Sequence, residues 1–253
     1  MSFFKLLLSH LPLLSSYIDC KHNGGYHQMR IGEYLKFKIG INRIYWPKER
    51  TCIVANPRKI YVGKCCNIGR PGTYIQGAGK IYIGNYVRFG PNVGILSANH
   101  DLYDHRKANT KPIRLGDYCW IGMGSIVLPG VDLGPRTIVA ANSTVTKSFP
   151  KGYCVIGGCP AKVIKELDPE KVVKYSAKRE YFGFIPADKF DTLNHLYIEP
   201  FIKQDVEEYF KNHITPPNSG VCRLQRKYNQ PSFFLAVHSV PYEKRQKNLL
   251  ACA

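Results

Sequence analysis

"LGDYCWIGMGSIVLPGVDLGPRTIVAANSTVTKSFP" runs from Leu115 to Pro150 and divides into six units of six residues. The first position of each unit is Leu115, Ile121, Val127, Leu133, Val139 and Val145, aliphatic throughout. With 44% hydrophobic residues in the chain, chance fills such a column in one of six frames about 4% of the time, so the other columns decide. The second position is Gly116, Gly122, Gly134 or Ala140 in four of the units, and the fifth is Cys119, Ser125, Val131, Thr137 and Ser143, small or β-branched until Phe149 ends the series. A period of six fits neither helix nor two-residue strand alternation. It predicts a β-solenoid in which each unit is one short strand plus a corner, and three units make one triangular coil. The aliphatics point inward and stack at about 4.8 Å from coil to coil. Small residues fit the corners, where Gly and Asn tolerate unusual dihedrals. Each coil pairs only with its neighbours, so the ends need caps.

Toward the N-terminus the same beat holds at Ile95, Phe89 and Ile83, and a looser version starts at Val62, Ile68 and Tyr74. Continued from Ile95, it demands an inward aliphatic at position 101. Asp101 stands there instead, and the next rung opens at Leu115. Residues 101–114 therefore read as a polar loop inserted into one edge of the solenoid, with His100 at its root. Loops held by a rigid scaffold are where function concentrates.

The chain then divides into an N-terminal cap (1–50), the β-helix with its inserted loop (51–167), and a C-terminal extension that is partly helical (168–253). In the extension "LDPEKVVKYSAKREYFGF" predicts a helix with Asp168 as N-cap and Pro169 in the first turn. "FIKQDVEEYFKNH" predicts another, stopped before Pro216 and Pro217. Residues 218–253 show no period.

Of the nine cysteines, none forms a Cys-x-x-Cys pair. An odd count in a chain of 253 residues reads as buried reduced thiols in a cytoplasmic protein. The net charge of +18 is spread along the chain, +5 over 1–50, +8 over 51–170 and +5 over 171–253. No Lys/Arg run of the nucleic-acid kind stands out. Diffuse basicity suits an anionic small molecule, an anionic membrane surface, or neither, being then an ordinary soluble basic surface. The Leu/Phe-rich start, Met1 to Ile18, is interrupted by Lys5, His10 and Pro12 and shows no obvious cleavage site, so a helix packed on the protein or lying at the inner face of a membrane fits it better than a leader.

The words "GAGKIYIGNYVRFGPNVGI", "NHD", "PIRLGDYCWIGMGSIVLPGV" and "VTKSFPKGYCVIGGCPAKVIKEL" together resemble the hexapeptide-repeat acyltransferases, over about Ile53 to Leu167. They are most similar to the sugar O-acetyltransferases, among them the maltose and galactoside acetyltransferases and those acting on surface polysaccharides. The resemblance implies a left-handed parallel β-helix, an acetyl-CoA co-substrate, no metal, and a homotrimer with sites between subunits. It implies that His100 is the general base taking the proton of a sugar hydroxyl, a task suited to imidazole near neutral pH. Asp101 or Asp104 is expected to fix the tautomer of His100, and Trp120 to lie near the active site, against acceptor or pantetheine. Motif matching places CoA contacts at Met123, Ala141, Thr146, Lys147, Lys162 and Lys165, the last two being lysines where relatives often carry arginine. The bland alternative for Lys162 and Lys165 is a solvated face at the start of a helix. Two other functions compete. His100 and His105 have the His-x4-His spacing of gamma-class carbonic anhydrases, with Cys65 or Cys66 standing in for a missing third histidine. A non-catalytic scaffold would bind no CoA. The acceptor, as a sugar of a surface polysaccharide or of its lipid-linked or nucleotide-sugar precursor, rests on the resemblance alone.

Overall fold

A computed structural model describes residues 12–26, 29–173, 175–200, 202, 205, 206 and 208. The chain separates into a compact unit up to residue 209 and a second from Phe210; the second lies outside the described residues, as do Met1 to Leu11. No described helix is long and apolar enough to cross a membrane.

The six-residue beat builds a parallel β-helix with three faces. The first face stacks Ile53–Ala55, Tyr74–Gln76, Gly94–Leu96, Ile126–Val127 and Thr144–Val145. The second stacks Ile60–Val62, Ile81–Ile83, Ile113–Leu115 and Asp132–Leu133. The third stacks Arg88–Phe89, Trp120–Ile121, Thr137–Val139 and Cys154–Gly158, closed by the antiparallel strand Ala161–Glu166. The first-column aliphatics are the core: Leu115, Ile121, Val127, Leu133, Val139 and Val145 are all buried. In register above them on the first face stand Ile75 and Ile95. Tyr74, expected inward, faces out, and Ile75 fills the column instead. One extra residue stands between Asn67, which pairs with Arg88, and Tyr74, which pairs with Gly94; it moves the register by one and exchanges the two sides of the strand.

At the corner between the second and third faces, Cys65, Tyr86, Tyr118, Arg136 and Tyr153 all have positive φ, a conformation that costs about 1 kcal/mol or more in a residue with a side chain. Stacking offsets it. The Tyr86 and Tyr118 rings lie parallel with centroids 4.9 Å apart, and the Arg136 guanidinium sits 3.9 Å from the Tyr118 ring centroid. The C-terminal segment runs back along this ladder. The Val173 carbonyl accepts from Arg136, the Tyr175 carbonyl from the Tyr118 hydroxyl, and the Tyr181 carbonyl from the Cys65 amide, while Glu180 bonds Tyr86 and Lys64. These partners pull the chain out of helical geometry, and the helix expected from Asp168 does not form. Asp168 makes only a turn, its carboxylate accepting from the Glu170 amide, before a short hairpin at Tyr181–Phe182 and Ile185–Pro186. In the segment expected to be a second helix, Ile202, Asp205, Val206 and Glu208 are helical and the rest lies outside the described residues. Ile198, Ile202 and Val206 are buried, and Asp205 bonds Lys80 and Tyr82, so this part covers the second face.

The solenoid's first coil is covered by helices α1 (Pro12–Asn23) and α2 (Ile31–Lys38) and by buried Tyr45 and Trp46. The Tyr45 hydroxyl donates to the Val62 carbonyl (3.0 Å) and accepts from the Val62 amide (2.6 Å), satisfying a strand edge that would otherwise be unpaired. The described cysteines are all free, and all but Cys159 are buried. Burial pushes the Cys119 thiol up to about 12.

Candidate active site

Extra residues gather at one corner, between the first and second faces. The first two coils carry short helical turns there, Pro57–Lys59 and Gly77–Gly79. The third carries the break in the beat, which is a two-stranded hairpin: Ala98–His100 pairs antiparallel with Ala108–Thr110, and His100 lies opposite Ala108. Its root is tied to the coil beneath. The Ser97 hydroxyl accepts from the Gly79 amide (2.9 Å) and bonds the Gln76 carbonyl, and the Gln76 side chain accepts from the Ala98 amide (3.0 Å). The tip presents Leu102 and Tyr103, the latter 99% exposed.

His100 is exposed, and its Nδ1 lies 2.6 Å from the backbone carbonyl of His105. A carbonyl oxygen can only accept, so Nδ1 carries the hydrogen and Nε2 of the neutral ring keeps its lone pair. This corrects the expectation that Asp101 or Asp104 holds the ring. Asp101 accepts from the amides of Tyr103 (2.9 Å) and Asp104 (3.1 Å) and from the Asn109 side chain (3.2 Å), bonds that hold its carboxyl below the usual range. Asp104 is engaged by Arg106 at 2.8 and 3.2 Å, the main cause of its own lowered pKa. Both carboxylates fold the loop, and the folded loop delivers the His105 carbonyl. No sequence signal announces that partner, because it belongs to the backbone.

Trp120 is 54% exposed on the outer side of the third face, in register with Arg88 and Ile138. Met123, half exposed, occupies the corner that leads from the third face to the first, and its carbonyl accepts from the Asn142 amide next to Ala141. Coil contact along this edge is backbone on backbone: a Cβ on Gly122 would lie 2.6 Å from the Ala141 amide nitrogen. Thr146 and Lys147 follow the last strand of the first face, on the same edge as the hairpin. Lys162 and Lys165 are exposed on the final antiparallel strand, so the alternative that set them at the start of a helix does not hold. The chain thus groups Trp120, Met123 and Ala141 along one side of the prism and sets His100, with Thr146 and Lys147, on a different edge.

Among the described residues no group of three or more His, Cys, Asp or Glu could hold a metal ion. Cys65 and Cys66 are buried at the corner between the second and third faces, with Cys66 Sγ 3.0 Å from the Gly84 carbonyl oxygen. They do not meet the two histidines.

Residues 112–147 match the family described as bacterial transferase hexapeptide (six repeats). A relative in Escherichia coli described as "Putative colanic acid biosynthesis acetyltransferase" is 32% identical over 130 residues, 51% of this chain and 69% of that protein. A galactoside O-acetyltransferase of Lactococcus lactis is 36% identical over 99 residues, 38% of this chain and 47% of its own length. The solved structure of a maltose O-acetyltransferase from Clostridium difficile is 25% identical with a TM-score of 0.45, covering 66% of this chain and 98% of that one. The chain belongs to the hexapeptide-repeat transferase family. It spans about half the length of several curated relatives, 47% of the Lactococcus protein among them.

Proposed function

We propose that the protein is an acetyl-CoA-dependent O-acetyltransferase that esterifies a sugar hydroxyl, with His100 as general base. The hydrogen bond between His100 Nδ1 and the His105 carbonyl carries this reading, because it leaves Nε2 an acceptor on the hairpin that breaks the six-residue beat. Nε2 takes the hydroxyl proton as the oxygen attacks the thioester carbonyl. The tetrahedral intermediate collapses with cleavage of the C–S bond, and the imidazolium returns the proton to the departing CoA thiolate. Asp101 acts through the loop it folds. Trp120 offers an exposed indole face to the sugar ring or the pantetheine arm. Met123 and Ala141 line the path of that arm, and Thr146, Lys147, Lys162 and Lys165 serve the CoA end, the lysines as point charges for phosphates.

His100 and Trp120 occupy different sides of one prism, which supports a complete site that draws the base from one chain and the donor groove from its neighbour, in the homotrimer that the family resemblance implies. Relatives described as galactoside and colanic acid biosynthesis acetyltransferases support a sugar acceptor belonging to a surface polysaccharide or to its lipid-linked or nucleotide-sugar precursor. The experiment is a screen of sugar acceptors with acetyl-CoA, following free thiol and product mass. The expected result is thiol release coupled to an acceptor heavier by one acetyl group. Absence of acetyl-CoA binding would contradict the reading and favour a scaffold.

A further inference from the structure

Helix α2 buries Tyr34 and Phe37 against the cap and leaves its other apolar residues uncovered. Ile31, Leu35 and Ile39 recur at four-residue spacing, so they share one stripe of the helix and its C-terminal boundary. All three are exposed, Ile39 by 70%, and Ile41 follows at 67%. Cations interleave with them: Arg30, Lys36, Lys38 and Arg43, with Glu33 the one acid between positions 30 and 43. The surroundings repeat this chemistry. A cavity of about 500 Å³ opens between α1, α2 and residues 179–193, lined by Phe37, Lys38, Arg179, Phe184 and Lys189. Its one acid, Asp19, is already bonded by Arg179 and Tyr181.

We propose that this face of the cap docks on an anionic phospholipid bilayer. Ile31, Leu35, Ile39 and Ile41 enter the boundary of the acyl region, and Lys36, Lys38 and Arg43 meet lipid phosphates. Bulky aliphatics set between cations are what an interfacial segment requires: apolar area supplies insertion, and charge supplies attraction and selectivity. The chain's net charge of +18 draws the whole molecule toward such a surface. A second copy of the chain is the poorer occupant, because two basic faces would be brought together. The contact does not depend on the acetyl-transfer chemistry proposed above.

The test is flotation of the full chain with vesicles of phosphatidylcholine alone, or of phosphatidylcholine and phosphatidylglycerol in equal parts. Binding is expected to the anionic vesicles only, and to fall steeply between roughly 0.05 M and 0.5 M salt. A Leu35→Ser, Ile39→Ser, Ile41→Ser variant is expected to lose about tenfold or more in partitioning. A Lys36→Glu, Lys38→Glu variant is expected to lose about as much. Circular dichroism and size-exclusion light scattering accompany each variant, to show an unchanged fold and assembly. Equal binding to neutral vesicles, or retained binding by both variants, overturns the proposal. So does a change of oligomeric state in the apolar variant, which would make this face a contact between copies of the chain.

Discussion

At Gly122 the stacked coils leave no room for a single added methyl group. Its neighbours in the next coil are backbone atoms: an added Cβ would lie 2.6 Å from the Ala141 nitrogen, 2.6 Å from the Val139 oxygen and 2.9 Å from the Ala140 carbonyl carbon. Relaxed contacts need about 3.5 Å, so the coils must part by roughly 0.9 Å. The bonds that fix their spacing there, Gly122 amide to Val139 carbonyl and Asn142 amide to Met123 carbonyl, are both 2.8 Å long. Opened by that amount, both pass beyond hydrogen-bonding distance. Two backbone bonds lost in a packed edge cost about 2–4 kcal/mol in total. In a unit of this size that is a fall in Tm of roughly 5–15 °C. Gly122→Ala should show this in thermal melts followed by circular dichroism. Gly94→Ala is the control, because its Cβ would meet only Ile126 side-chain carbons at 3.5–3.9 Å. A Gly122→Ala protein that melts within about 2 °C of the parent would refute the reasoning that close coil packing excludes a side chain there.

Burial pushes the Asp117 carboxyl upward, although it accepts hydrogen bonds from Asn85. A raised folded-state pKa means the folded chain holds the proton longer, so this group's contribution to stability falls as pH rises from the ordinary aspartate value near 4. The Tm of Asp117→Asn relative to the parent should therefore improve with rising pH across that window; a difference independent of pH contradicts it. Tyr45→Phe removes the hydroxyl that pairs both backbone groups of Val62 and should cost about 2–4 kcal/mol in urea unfolding, with an m-value close to the parent's. A Tyr118→Leu variant removes the ring between Tyr86 and Arg136 and the donor to the Tyr175 carbonyl. It should speed proteolysis within residues 173–181, read by mass spectrometry of early fragments, and unchanged cleavage there would contradict the role given to the ladder.

The inward columns were legible because burial of an aliphatic every sixth residue leaves a direct trace in sequence, from Leu115 through Val145. The hairpin was legible as a break in that trace, at Asp101. Its true start at Ala98 was not, since the pairing of Ala98–His100 with Ala108–Thr110 is a backbone matter. The same cause hid the partner of His100. Asp101 and Asp104 looked suited to hold an imidazole, yet local amides and Arg106 satisfy both. The helix expected from Asp168 failed for a different reason. Asp168, Pro169 and Glu170 are good initiating residues, but Val173 and Tyr175 give their carbonyls to Arg136 and Tyr118 and Tyr181 gives its carbonyl to the Cys65 amide, and these tertiary bonds override local preference. The placement of His100 and Trp120 on different sides follows from the insertion point of the hairpin, which the six-residue count locates along the chain but not around the prism.

In the proposed reaction, Nε2 of His100 accepts the proton of the acceptor hydroxyl. The most direct measurement is turnover of His100→Ala with acetyl-CoA and the best sugar from the acceptor screen, with acetyl-CoA affinity and Tm measured on the same preparation. Turnover is expected to fall about 100-fold or more, with affinity for acetyl-CoA and Tm close to the parent's. Turnover within a few-fold of the parent would contradict it.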